Sequence, residues 1–205
     1  MEQRADGKAR RIVVSLLIVG VLGALVGVGT LSAFSSSTQN SGNNFDAGTV
    51  YISDNDAGSA LYNVTNRKPG DTVTSCILVT YGGTLASDVH LYTPSTINAV
   101  GQYINLTIEK GTSTGAGAFP NCGTFTPDTT GGTVYNGTLS GFATAHNSYA
   151  NGSPVVPGSQ TGWNQNDSLV FRFTLSMQDN NNANGQGLGA LQSGTHSFTW
   201  ESRNQ

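Results

Sequence analysis

Charge is scarce in this chain. Its 205 residues carry 9 lysines and arginines against 12 aspartates and glutamates, 10% of the whole. Long solvent-facing helices need an ionised outer stripe, and this composition cannot supply many of them. Cysteine is nearly missing too, with Cys76 and Cys122 the only two. A disulfide-dense scaffold is thereby excluded, and two lone cysteines do not make a zinc cluster. No H-E-x-x-H occurs, which removes the helical zinc-protease motif. No internal repeat of solenoid length occurs either.

The N-terminus is the one strongly apolar region. Lys8, Arg10 and Arg11 precede a run from Ile12 to Val28 that is broken only by Ser15 and glycines. A basic head, an apolar middle and a small-residue exit are the order of a secretory signal, with the cations held on the cytoplasmic side. A helix from Ile12 to Gly29 would span roughly 27 Å, short of a hydrocarbon core of about 30 Å, so a permanent anchor is a marginal alternative. Thr30 and Ser32 are the small side chains that a signal peptidase needs three and one residues before its cut. Cleavage is therefore expected between Ser32 and Ala33. No cysteine follows the run, which excludes a lipid-modified N-terminus, and no acid lies early in it, which excludes a type IV pilin.

Loss of residues 1–32 leaves 5 cations against 10 anions, a net charge of −5. Such a surface seeks neither nucleic acid nor anionic lipid, so membrane contact is expected only through the signal segment before cleavage. The remainder is large enough for one domain with a real core. It is rich in glycine, serine, threonine and asparagine, which favours short strands and tight turns, so an all-β extracellular domain is expected. In an oxidising compartment Cys76 and Cys122 are expected to pair, two buried free thiols being the alternative.

Between Phe34 and Phe45 the chain reads SSSTQNSGNN, with no apolar residue. This stretch cannot bury enough surface to order itself. Its composition suits a strand supplied to a neighbour and a plain linker equally well. Beyond it, alternation and turn chemistry predict strands at Thr49–Ser53, Ala60–Thr65, Thr72–Thr80, Val89–Tyr92, Tyr103–Glu109, Ser168–Met177 and His196–Glu201. The region from Gly111 to Trp163 reads as long loops with one short helix near Gly141–His146, and Asp179–Gly189 as an exposed excursion. Many short strands without a periodic helix imply a sandwich, most simply a jelly roll. The Arg67-Lys68-Pro69-Gly70-Asp71 turn reads as structural, because Pro69 fixes φ and Gly70 tolerates a positive φ.

Several separated pieces share one pattern: GTLSAF at the end of the apolar run, then FDAGTVYI, LYNVTNRKPGD and YGGTLASDVHLY, with a β-rich pair near the C-terminus. In that order they resemble the TasA and camelysin family of exported proteins. The resemblance implies a jelly-roll-like β-sandwich (47–205) after a signal helix (1–32), processing by a dedicated signal peptidase, and assembly into biofilm-matrix or cell-surface fibres. It implies further that the extended polar segment 33–46, led by Ala33, Phe34, Ser35, Ser36, Ser37 and Thr38, is a donor strand that enters the sheet of the next copy. Tyr81-Gly82-Gly83 departs from the family's usual Asn-containing turn, and many members have no cysteine pair.

Camelysin-type members are described as metalloproteases, a chemistry that requires zinc ligands. His90, His146 and His196 are isolated, with no acid at helical spacing from any of them. The abundant serines lie mainly in low-complexity polar stretches, and no G-x-S-x-G elbow is expected. Glu109, Glu201 and the aspartates show no spacing that selects a glycosidase pair. Asp54-Asn55-Asp56 and Asp179 offer calcium-type oxygens, but turns use the same residues and are favoured. Five N-x-[ST] sequons, at Asn63, Asn105, Asn136, Asn151 and Asn166, are expected by chance in so Asn- and Thr-rich a chain. The sequence thus predicts a secreted, non-enzymatic fibre subunit that binds no cofactor or metal, with itself and a signal peptidase as partners. A camelysin-like protease and a monomeric carbohydrate-binding or adhesive domain, using Tyr51 or Trp163, are the alternatives.

Overall fold

The computed structural model of the chain describes residues 10–19, 47–65, 67–114, 119–179 and 193–205. They belong to two units, Met1–Asp46 and Ala47–Gln205. In the first, residues 10–19 form a helix, α1. No helix among the described residues is long and apolar enough to cross a membrane. The expected cut between Ser32 and Ala33, the donor residues Phe34 to Thr38 and most of the Asp179–Gly189 excursion lie outside the described residues.

The second unit is built of antiparallel strands in two sheets. Its centre is β8, Ser168–Met177, which pairs with β2 (Thr72–Tyr81) from Thr72↔Ser176 to Thr80↔Ser168, and on its other side with β4 (Ile104–Ser113). Strict alternation explains the pairing. Leu169, Phe171, Phe173 and Leu175 point to one face and meet Ile77, Val79 and Tyr81 of β2 and Leu106 and Ile108 of β4, all buried. Burying each such phenylalanine contributes about 1.5–3 kcal/mol. The opposite face carries two uncharged cross-strand rows, Thr72–Ser176–Asn105–Thr138 and Thr74–Thr174–Thr107–Asn136.

The sheet is completed by β1 (Ile52–Asp54) along β2, and by β5 (Phe125–Pro127) and β6 (Thr133–Thr138) along two stretches of β4. The smaller sheet has β3 (Ser87–Tyr92) at its centre, flanked by β7 (Ser153–Val155) and β9 (Thr199–Asn204). Val89, Leu91 and Val155 join the same core as β2, β4 and β8, so the two sheets share one interior. A short helix, α2 (Leu139–Ala145), buries Leu139 and Phe142 and is capped by Thr138, whose Oγ1 accepts the Gly141 N–H at 3.0 Å.

Several sequence expectations need correction. Ala60–Thr65 is not a strand: Leu61 and Tyr62 are adjacent yet both pack against the core, which an alternating strand cannot do. The last strand begins three residues later than expected, at Thr199, although Phe198 and Trp200 do share the inner side. The region 111–163 is not mainly loop; it holds β5, β6, α2 and β7. Those strands are short and glycine- and threonine-rich, stabilised by backbone pairing more than by side-chain burial, so alternation barely registers.

Two turns follow their chemistry. Gly70 has φ +84°, the Asp71 N–H donates to the Lys68 carbonyl at 3.0 Å, and the Gly70 N–H donates to the Met177 carbonyl at 2.9 Å, tying the turn to the end of β8. After β2, a side chain at Gly83 would run into the Tyr81 hydroxyl and the Thr49 carbonyl, which explains the Gly82-Gly83 pair.

Cys76 and Cys122 form a disulfide with Cα atoms 5.2 Å apart, 46 residues apart in sequence. It clamps the 119–124 loop over the outer edge of β2, where the Cys76 N–H donates to the Pro120 carbonyl at 2.9 Å. A closure of that length stabilises the fold by about 4 kcal/mol in the chain-entropy model. Replacing both cysteines by serine is expected to lower the unfolding free energy by about that amount, measured by urea titration against the oxidised protein.

Candidate functional site

The larger sheet ends in β1 and the smaller in β9, and the two outer strands face each other across an open seam. Hydrogen-bond parity fixes which backbone groups look into it. Tyr81 exchanges bonds with Asp167 and Asn166 on the β8 side, and the Gly82 N–H donates to the Tyr51 carbonyl at 2.9 Å. Tyr51 and Ser53 therefore turn their amides to β2, and Ile52 and Asp54 turn theirs away. On β9, the Gln205 N–H donates to the Ala86 carbonyl at 3.2 Å, and Pro154, which has no N–H, lies opposite His90 on the other side of β3. Thr199, Glu201 and Arg203 thus bond to β3, whereas Trp200, Ser202 and Asn204 present their backbone groups outward. Among the described residues no strand pairs with either outward row.

Between these edges is a cavity of about 210 Å³ lined by Ile52, Ser53, Asp54, Val79, Phe198, Thr199 and Trp200. Its aromatic wall is held by packing: Phe198 lies 4.6 Å from Phe173, and Trp200 lies 5.3 Å from Phe171 and edge-on to Phe173 at 6.0 Å, between ring centroids. The Trp200 indole Nε1–H is buried and has no hydrogen-bond partner among the described residues. A donor left so costs about 1–3 kcal/mol. At the polar end, burial raises the Asp54 carboxyl above its ordinary value, against the hydrogen bond from the Asp56 backbone N–H, which lowers it.

A network on the outer face of β9 positions Trp200. The Tyr92 hydroxyl donates to Glu201 Oε2 at 2.7 Å, Arg203 Nε donates to Glu201 Oε1 at 2.8 Å, and the Arg203 guanidinium lies 3.9 Å from the Tyr149 ring centroid. His90 stacks on Tyr149, ring centroids 4.3 Å apart. The Tyr92 hydrogen bond, followed by that from Arg203, holds Glu201 below its ordinary value.

The other predicted chemistry is dispersed. Nδ1 of His90 meets the Tyr149 carbonyl, that of His146 the Asn151 carbonyl and that of His196 the Gly194 carbonyl. The Tyr62 hydroxyl bonds His196 Nε2. Among the described residues no group of three or more His, Cys, Asp or Glu side chains is placed to hold a metal, so these donors do not fit a zinc site. Glu109 pairs with Arg172 on the outer face of the large sheet, away from Glu201 on the small one. The Asp54-Asn55-Asp56 oxygens accept N–H groups of Asp56, Leu78 and Gly58, as turn residues do.

Two sequence readings are overturned here. Gly111-Thr112-Ser113-Thr114-Gly115 does have G-x-S-x-G spacing, but Ser113 sits in a strand opposite Phe125, and its hydroxyl meets Thr124 Oγ1, so it is not at a strand-to-helix elbow. Trp163 is no exposed platform: it is wholly buried, and its Nε1–H donates to the Val155 carbonyl at 2.7 Å. Tyr51 remains 61% exposed.

These features define an antiparallel two-sheet β protein in which, among the described residues, β1 and β9 each keep one unpaired edge. Residues 9–105 match the model of a family described as camelysin metallo-endopeptidase. Over that stretch, from the basic N-terminus into the first residues of β4, the chain is similar to that family, the one its motifs resemble. Comparison with curated proteins finds no match.

Glu201 supplies a pH test. Its depressed folded value stabilises the protein above the ordinary carboxylate value of 4.5, and that contribution is lost as pH falls through the folded value. Glu201→Gln is expected to flatten the loss of stability below pH 4.5 while lowering stability at neutral pH, measured by thermal melts across pH.

Proposed function

We propose that the protein is a secreted structural subunit of extracellular-matrix or cell-surface fibres, and that it polymerises by donating its N-terminal segment to a neighbour. The observation that supports this reading is the seam: two backbone edges, on β1 and β9, that no other strand among the described residues pairs with, facing each other across a cavity of mixed polar and apolar lining. An extended strand would pair with either edge and lengthen that sheet. The segment 33–44 is suited to the task, being rich in backbone hydrogen-bonding capacity and poor in side chains that could fold at home.

Donor and acceptor are different parts of the chain, so the contact is heterologous and propagates into an open filament rather than closing as a dimer. In this reading the domain is a jelly-roll-like sandwich, the apolar run is a signal helix, and cleavage between Ser32 and Ala33 by a signal peptidase frees the donor. The protein then acts outside the cell.

The family's description favours a second reading, a secreted metallo-endopeptidase. Metal analysis of the purified exported protein separates the two: a fibre subunit is expected to carry less than one tenth of an equivalent of zinc, and a stoichiometric ion would favour the peptidase.

Electron microscopy tests the first reading. Exported wild-type protein is expected to form filaments, and a variant without residues 33–44 is expected to remain monomeric with an unchanged circular dichroism spectrum. Filaments formed by the truncated protein would overturn strand donation.

A further inference from the structure

The outer edge of β2 is covered by a device that β1 and β9 do not use. We propose that the loop held by the Cys76–Cys122 disulfide is an oxidation-dependent guard on this edge, and that without the bond the edge pairs with β2 of a second copy in a closed dimer.

Hydrogen-bond parity fixes the edge. Tyr81 bonds toward β8, so Val73, Ser75, Ile77 and Val79 do the same, and the amides of Thr72, Thr74, Cys76, Leu78 and Thr80 turn outward. Three of these are covered by three different groups. Thr80 stands opposite Ser53 of β1, the Leu78 N–H donates to Asn55 Oδ1 at 2.9 Å, and the Cys76 N–H donates to the Pro120 carbonyl at 2.9 Å. Thr72 and Thr74 are exposed, and no strand or loop among the described residues pairs with them on that side.

The loop acts as a clasp. Cys122 is bonded to Cys76, whose side chain shares the outer face with Thr74 and Arg172; Pro120 meets the edge itself; and Phe119 packs against the core. Without the sulfur bridge, the Pro120 hydrogen bond and the partly buried Phe119 ring are what remain to hold it there.

What the clasp covers is prone to pair with itself. β2 reads TVTSCILVTY, ten residues without charge, proline or glycine. Segments of that composition stack on their own copies when an edge is free, and edge strands are normally protected by lysine, proline or a cover. β2 carries neither lysine nor proline, so the cover is its protection. Two β2 edges set antiparallel about a two-fold axis at Thr74 place Thr74 opposite its symmetry mate and Thr72 opposite Cys76. With the clasp closed, Pro120 occupies the outward side of Cys76 and blocks that register. The residues then left open, Thr72 and Thr74, span less than a normal strand.

Closure is an exchange in which two thiols and one disulfide of an oxidant become the Cys76–Cys122 bond and two oxidant thiols. In an exported chain this step follows synthesis, so the edge is open first and covered afterwards. That timing rests on the export reading; the edge pairing does not.

The test uses the exported full chain and the same chain without residues 33–44, so that a donated strand and a paired edge are read apart: the first builds filaments, the second a closed dimer. Each is made oxidised with both cysteines, with Cys76→Ser and Cys122→Ser together, and with Thr74→Lys added to that pair. Sedimentation gives the assembly state, circular dichroism the fold and hydrogen exchange the position of the contact. Without residues 33–44, the oxidised protein is expected to be monomeric, and the double serine variant to be a folded dimer with exchange slowed over the first half of β2. Thr74→Lys is expected to raise the dissociation constant of that dimer about tenfold, because the two lysines face each other across the axis.

A folded, monomeric double serine variant overturns the proposal. An unfolded one does so too, since the bond would then hold the fold rather than cover a formed edge. A dimer indifferent to Thr74→Lys, or protected at β1 or β9 instead, overturns the assignment to β2. Absence of filaments from the oxidised full chain would overturn strand donation alone, and the dimer arms would still decide this proposal.

Discussion

Backbone groups taken out of water must find hydrogen-bond partners, and that constraint governs this molecule. Every buried N–H and carbonyl needs a partner. The middle of the large sheet meets the demand fully, with β8 bonded along its length to β2 and β4. Toward the periphery the accounting becomes piecemeal. The Cys76 amide is met by the Pro120 carbonyl and the Leu78 amide by Asn55 Oδ1, so loops finish what strands do not. Along β1 and β9 neither device operates among the described residues. Edges of that kind, beside exposed apolar surface, are what soluble monomers normally cover or charge.

The parts of this fold legible in the sequence are those where side-chain burial drives pairing. Ser168–Met177 is bounded as expected because four large apolar residues alternate with small polar ones, and Thr72–Tyr81 differs from expectation by one residue. The region after β4 was opaque because β5, β6 and β7 add to existing strands through backbone bonds, and a threonine or glycine serves there as well as a valine. The candidate site was opaque for another reason. Ile52 and Trp200 are almost 150 residues apart in the chain and meet only because the two sheets share one core, a juxtaposition that no local spacing records. The tryptophan that sequence reasoning singled out, Trp163, is the satisfied one; the unsatisfied one is Trp200.

The family match and the site divide the molecule differently. The matched stretch, residues 9–105, contains β1, β2 and β3 but ends before β8 and β9. One wall of the seam, Ile52 to Asp54 with Val79, therefore lies inside it, and the aromatic wall of Phe198 and Trp200 lies outside. Each histidine has its own local engagement: His90 is stacked on Tyr149, His146 packs against Phe142 at 4.9 Å and His196 is bonded to Tyr62. Their roles in this structure are to close turns and fill aromatic clusters.

The two neutral rows on the outer face of the large sheet have a consequence of their own. Thr72, Thr74, Thr174, Ser176, Asn105, Thr107, Asn136 and Thr138 carry no ionisable group, in a domain that is otherwise net anionic. Like-charged particles usually approach more easily as ionic strength rises, because counterions screen their repulsion. On this face the local repulsion is missing from the start, so bundling of parallel copies through it would be governed by hydration of hydroxyls and carboxamides and would respond little to added salt.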